Sequence, residues 1–147
     1  MDIIKIKVVN KSTNEMPAYA TPGSSGMDLR AALEQTREIA PFERTLVPTG
    51  LFFEIPPGHE AQVRPRSGLA IKKGLTVLNS PGTIDSDYRG EVQVILVNLS
   101  QTANFIEPGE RVAQIVFQKV EKAELIPAAD LEDTKRGTGG FGHTGHR

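Results

Sequence analysis

Apolar and polar residues alternate along much of this chain with a period of two, the period of strands that bury one face. Ile4, Ile6 and Val8 alternate with Lys5 and Lys7, which predicts an edge-like strand with lysine on its wet face. Gly26-Met-Asp-Leu-Arg-Ala predicts a short strand with Asp28 and Arg30 on one face and Met27 and Leu29 on the other. Thr36–Ile39 and Arg44–Val47 flank a turn at Ala-Pro-Phe-Glu. Leu51–Ile55 predicts a further strand, stopped by Pro56-Pro57-Gly58, and Glu60–Val63 leads into Arg64-Pro-Arg-Ser-Gly. Leu75–Leu78 and Val92–Val97 are apolar runs separated by turn chemistry, so they predict two strands joined by a shaped hairpin over Asn79–Gly90. Phe105-Ile106 is a short apolar step before Pro108-Gly-Glu. Arg111–Val120 sets Val112, Gln114, Val116 and Gln118 against Ala113, Ile115 and Phe117, which turns Gln114 toward solvent unless something polar sits beside it.

One stretch breaks the period. Ser67-Gly-Leu-Ala-Ile-Lys-Lys-Gly predicts a short helix over Ser67–Lys73, capped by Ser67, packed through Leu69, Ala70 and Ile71, and closed by Gly74 in the left-handed conformation. About ten short strands at 8–12-residue spacing otherwise mark an all-β sandwich or barrel. From Leu131 the residues have almost nothing to bury, which predicts a β body over 1–130 and a mobile glycine-rich arm over 131–147.

Composition narrows the functions open to such a body. The 147 residues fit one domain, and fourteen glycines and ten prolines agree with many turns. With no cysteine there is no disulfide scaffold and no thiolate nucleophile. A net charge of −1 argues against a surface that tracks nucleic acid. The start of the chain lacks a signal peptide's apolar centre, and no run approaches a membrane span, so a cytoplasmic protein is expected.

Four places carry candidate chemistry. The Asn79–Gly90 stretch holds Asp85, Asp87, Tyr88 and Arg89, and Asp85 beside apolar Ile84 suits a general base; turn hydrogen bonds are the alternative use. Arg66 and Ser67 at the helix start suit a phosphate, where an ordinary N-cap is the alternative. The tail sets Arg136 and Phe141 among glycines, a composition for a lid over a base and its phosphates rather than a plain linker. Asp28 suits Mg²⁺ held through water, with pairing to Arg30 or another arginine as the alternative. His59, His143 and His146 show no metal-ligand spacing, and no Ser-His-Asp arrangement is legible. A carboxylate base, a helix-end anion site and an Arg/Phe lid suit nucleotide phosphate hydrolysis better than acyl transfer.

Taken together, five segments resemble the ordered motifs of the trimeric dUTP diphosphatase (dUTPase) family. They are Ala18–Ala32, Arg64–Leu75, Asn79–Gly90 extended to Asn98, Gly109–Phe117 and Arg136–Gly145. The resemblance implies a jelly-roll-like β fold and a homotrimer whose active sites lie at subunit interfaces, each closed by a C-terminal arm. It implies Mg²⁺-assisted hydrolysis of dUTP to dUMP and diphosphate, which keeps uracil out of DNA and supplies dUMP for dTMP synthesis. It assigns Asp85 to the attacking water, Tyr88 to the deoxyribose, and Asn79 with Gly82, Thr83, Ile84 and Gln93 to the uracil pocket. Arg66, Ser67 and Gly68 match the phosphate motif, and Gln114 a position near the α-phosphate. Arg136 matches a γ-phosphate contact, Phe141 with Gly142 a cover over the base, and Asp28 an acid linked to the metal through water. Thr83, Gln93 and Thr138 depart from the commonest family residues at positions where backbone or a hydroxyl serves. Two other readings are a deaminase of dCTP on the same fold, which needs a differently placed glutamate, and a non-catalytic nucleotide-binding or regulatory β protein.

Overall fold

The computed structural model describes residues 2–145. Two four-stranded antiparallel sheets and one two-stranded ribbon share a single apolar core. The first sheet has the order β1 (Lys7–Asn10), β4 (Arg44–Glu54), β8 (Glu91–Asn98), β6 (Leu75–Val77). The second has the order β2 (Met27–Arg30), β10 (Arg111–Lys119), β5 (His59–Arg64), β7 (Gly82–Ile84). β3 (Arg37–Ile39) pairs with β9 (Asn104–Ile106). Inward residues alternate as the pattern requires: Val92, Val94 and Leu96 from one sheet, Leu29, Val63 and Ile115 from the other. Phe53 of β4 meets Phe117 of β10 edge to face, with ring centroids 5.5 Å apart. This is the all-β body with one short helix that the periodicity predicts, in the jelly-roll-like form that the family resemblance implies.

Local expectations fared unevenly. The first strand is an edge, and Ile4, Ile6 and Val8 are half-buried between exposed lysines, but its ladder starts only at Lys7. Arg44–Val47 and Leu51–Ile55, expected as separate strands, fall on one eleven-residue strand, β4, which takes in all of them but Ile55. A bulge joins them. Between the pairs Pro48↔Gln93 and Phe52↔Glu91, β4 advances further than β8. Gly50 has φ 71°, and a Cβ there would come within 2.8 Å of Ser12.

The helix α1 (Ser67–Lys73) has the expected bounds. Its capping differs. Arg66 is the N-cap, with extended backbone and no side-chain cap bond, so Ser67 is the first helical residue and not the cap. Leu69 alone is buried; Ala70 is exposed and Ile71 is 84% exposed. The positions three and four beyond Leu69 are Lys72 and Lys73, so no second apolar residue of these two turns shares its face. Gly74 closes the helix at φ 65°, its N–H reaching the Leu69 and Ala70 carbonyls.

Candidate functional site

Asn79–Gly90 is more than a reversal. Its flanks pair as expected, Leu75↔Asn98 and Val77↔Leu96, but Gly82–Ile84 crosses to the second sheet and pairs with β5. A three-residue strand is too short to show a period, so only its distant partner reveals it. Crossing between sheets gives the segment two anchors, with Ile84 and Gly82 buried. Gly82 leaves room for Asn79, whose Nδ2 would lie 3.1 Å from a Cβ there. Past β7, the Tyr88 N–H donates to the Asp85 carbonyl at 3.1 Å and closes a turn. Arg89 Nη1 donates to the Ser86 carbonyl at 2.6 Å, so this cation braces the turn.

The Tyr88 ring lies over Gly90, where any Cβ would strike it, and its hydroxyl donates to the Glu91 carbonyl at 2.8 Å. A cavity of about 320 Å³ opens beneath, lined by Leu46, Thr83, Ile84, Asp85, Tyr88, Glu91, Val92, Gln93 and Ile95. Asp85 is exposed at its edge and makes no ion pair among the described residues. Leu46 and Ile95, paired across β4 and β8, form an apolar wall that sequence reading missed. Their alternation announced strand faces but not a shared cavity. Glu91 was also missed. Its Oε2 accepts the Gly50 N–H at 2.8 Å, a donor stranded by the β4 bulge.

A second group forms at the other side of the second sheet. Asp28, Gln114 and Arg64 stand in one row across β2, β10 and β5. Asp28 Oδ1 accepts from Arg66 Nε at 3.1 Å, and Oδ2 lies 3.7 Å from Arg111 Nη1. Arg30, the nearer candidate in sequence, instead donates to the Gly109 carbonyl. Gln114 is half-buried rather than solvent-facing, because it has polar neighbours: its Nε2 donates to the Pro65 carbonyl at 3.0 Å. Gly26 makes space for it, since a Cβ there would lie 2.6 Å from Gln114 Oε1. Ser67 and Gly68 follow at the start of α1, where the first N–H groups of a helix have no intrahelical acceptor.

These two groups do not meet within one chain. From Asp28 to Asp85 the path crosses three strand spacings, about 14 Å, and runs four residues along, about 13 Å, or about 20 Å in all; from Gln114 it crosses two spacings and comes to about 16 Å. The arm joins neither. Residues 121–138 and 140–145 are exposed, and Arg136 Nε donates to the Gly139 carbonyl of its own turn at 2.7 Å. Phe141 is fully exposed at φ 52°, and Gly142 follows at φ 95°. His146 lies outside the described residues.

Among the described residues, no cluster of three or more His, Asp or Glu side chains is arranged to hold a metal. No helix there is long and apolar enough to cross a membrane.

This arrangement has close relatives. The family model for dUTPase matches residues 12–145. The deoxyuridine 5'-triphosphate nucleotidohydrolase of Aquifex aeolicus is 60% identical over 144 residues, covering 97% of this chain and 96% of its own. That of Fusobacterium nucleatum is 54% identical over 145 residues, covering 99% of each. Among solved structures, the Staphylococcus bacteriophage 80alpha dUTPase with dUPNHPP superposes with a TM-score of 0.86 at 25% identity, covering 96% of this chain and 98% of that one. A match that runs through the hairpin, the arginine cluster and the tail alike leaves one conclusion: the chain belongs to the dUTPase family.

Proposed function

We propose that this protein hydrolyses dUTP to dUMP and diphosphate. The observation that carries the reading is Asp85, a carboxylate with no ion pair among the described residues, held on a doubly anchored turn at the mouth of the cavity shared with Tyr88. In the reaction, water attacks the α-phosphorus. Asp85 orients the water and takes its proton, and the bond from the α-phosphorus to the bridging oxygen breaks as diphosphate leaves. Tyr88 packs on the deoxyribose and leaves no room for a ribose 2′-hydroxyl. Asn79, with the backbone of Gly82, Thr83, Ile84 and Gln93, reads the uracil edge. A pocket built to pair a base rejects a mismatched one by up to ~10⁴, because its polar groups are left unpaired.

The α-phosphate must touch both the water at Asp85 and the Arg66, Ser67, Gly68 and Gln114 group. Within one chain Gln114 lies two strand spacings and four residues from Asp85, about 16 Å, which supports a site assembled from several copies, as in the homotrimer that the resemblance implies. The exposed arm supports the same reading: Arg136 would reach the γ-phosphate, and Phe141 with Gly142 would cover the base of a neighbouring copy's site. The division into a body and an arm, 1–130 and 131–147, belongs to this proposal.

Mg²⁺ would supply charge neutralisation for the triphosphate. Asp28 does not suit it as a direct ligand, because both of its oxygens face arginine. The metal would rest chiefly on phosphate oxygens, with Asp28 touching it only through water. The reading places the protein in the cytoplasm, beside the nucleotide pool it would act on.

Incubation with dUTP and Mg²⁺ should yield dUMP and diphosphate in equal amounts. With dCTP no ammonia should appear, since Glu91, the glutamate nearest the pocket, is already committed to the Gly50 N–H. Ammonia from dCTP, or no product from dUTP, would overturn the reading.

A further inference from the structure

The β4 bulge and the hairpin are joined through one residue. On the bulge side, β8 backbone cannot satisfy every donor of β4, because the register has broken. The Gly50 N–H goes instead to Glu91 Oε2 at 2.8 Å, and the Leu51 N–H to Thr49 Oγ1 at 3.2 Å. Thr49 is buried, and its hydroxyl donates to the Val92 carbonyl at 2.6 Å, one residue beyond Glu91. The far side of the bulge is fixed too: the Lys11 N–H donates to the Gly50 carbonyl at 2.7 Å, and Ser12 closes against Gly50. On the hairpin side, the Glu91 carbonyl accepts the Tyr88 hydroxyl at 2.8 Å. Glu91 thus touches the bulge with its side chain and the tyrosine with its backbone.

Tyr88 has few other constraints. It is 46% exposed, its phenol has this one acceptor, and its ring rests on Gly90. Its position over the cavity therefore follows the position of the Glu91 peptide, which follows the bulge.

We infer that Glu91 is a positioning residue that sets the discrimination between deoxyribo- and ribonucleotides, by fixing Tyr88 through the β4 bulge. The inference rests on the proposed role of Tyr88 against the sugar. Loss of the carboxylate strands the Gly50 N–H and frees the peptide that holds the phenol. The ring can then shift enough to admit a 2′-hydroxyl. Asp85 hangs from the same turn but is bonded to Tyr88 only through backbone, so turnover of dUTP should suffer less than selectivity.

The test is the ratio of kcat/KM for dUTP to that for UTP, measured with Mg²⁺ on the full chain, with circular dichroism as a folding check. Glu91→Ala should lower the ratio about tenfold, mainly by improving use of UTP. Glu91→Gln keeps an acceptor at the same reach and should stay within about threefold of the parent. Should Glu91→Ala fail to fold, Glu91→Asp carries the same expectation, being one methylene short of Gly50. Tyr88→Ala is run alongside. If it leaves the ratio intact, the sugar-reading role itself is wrong. If it collapses the ratio while Glu91→Ala and Glu91→Asp do not, or if Gln fails as badly as Ala, the positioning role is overturned and the role of Tyr88 stands. A purely structural role would lower thermal stability and leave the ratio unmoved.

Discussion

The arginine cluster and the hairpin hold their acids in opposite ways. Asp28 is answered by its own chain, through Arg66 and Arg111, and Gln114 pins the Pro65 carbonyl beside them. Among the described residues Asp85 has no such answer, and its neighbours are braced instead: Tyr88 by Glu91, Arg89 by Ser86, Ile84 by β5. The difference fits the separate tasks proposed for the two acids. Under that proposal a paired carboxylate orients the arginines that would meet the triphosphate. An unpaired one on a stiff support keeps its lone pairs for a proton or a water.

Breaking the free acid should have the largest effect. Asp85→Asn should lower kcat about 10³-fold while dUTP binding by calorimetry persists, as expected where one proton acceptor is lost. Full turnover in that variant would remove Asp85 from the reaction. Ending the chain after Lys135 comes next. Activity should fall about 10²-fold, with thermal unfolding unchanged because the arm contributes almost nothing to the core. If the melting temperature fell with activity, the arm would be part of the fold and not a cover.

A subtler change tests the paired side. Gly26→Ala places a methyl where Gln114 Oε1 now sits and should turn that side chain off the Pro65 carbonyl. About a tenfold rise in KM for dUTP is expected, with an intact fold by circular dichroism. An unchanged KM would leave Gln114 with no part in setting the arginine turn. The smallest effect is expected where an ion pair has no task. Lys7 and Glu54 lie 3.5 Å apart on the exposed edge, and Lys7→Ala should change stability by less than about 0.5 kcal/mol in denaturant titration. A larger loss would mean that surface pairing, rather than burial, secures that edge.

Legibility in the sequence followed the range of the interactions involved. The helix bounds at Ser67 and Lys73 were readable because a short-range signal, Gly74, ends the helix. The cap was misread, because Ser67 has the right chemistry one position too late. The single strand β4 was hidden by Pro48 and Gly50, which read locally as a break; only pairing to β8 shows the chain continuing through a bulge. Whether Gln114 faces solvent stayed open in the sequence, because alternation reports which face a residue is on, not what else has been brought to that face; the Pro65 carbonyl is the polar neighbour that covers it.

By itself the sequence determined the all-β class, the short helix, the exposed glycine-rich tail and, through five ordered motifs, the family. Those features depend on period two, on turn residues and on side-chain identity, all local properties of a chain. Only the tertiary structure decided that Gly82–Ile84 crosses to the second sheet, that Asp28 is ion-paired while Asp85, among the described residues, is not, and that Glu91 joins the bulge to Tyr88. Each of these depends on which distant residue arrives opposite, and a one-residue change of register in β4 or β10 would alter it without changing the hydrophobic pattern that folds the chain.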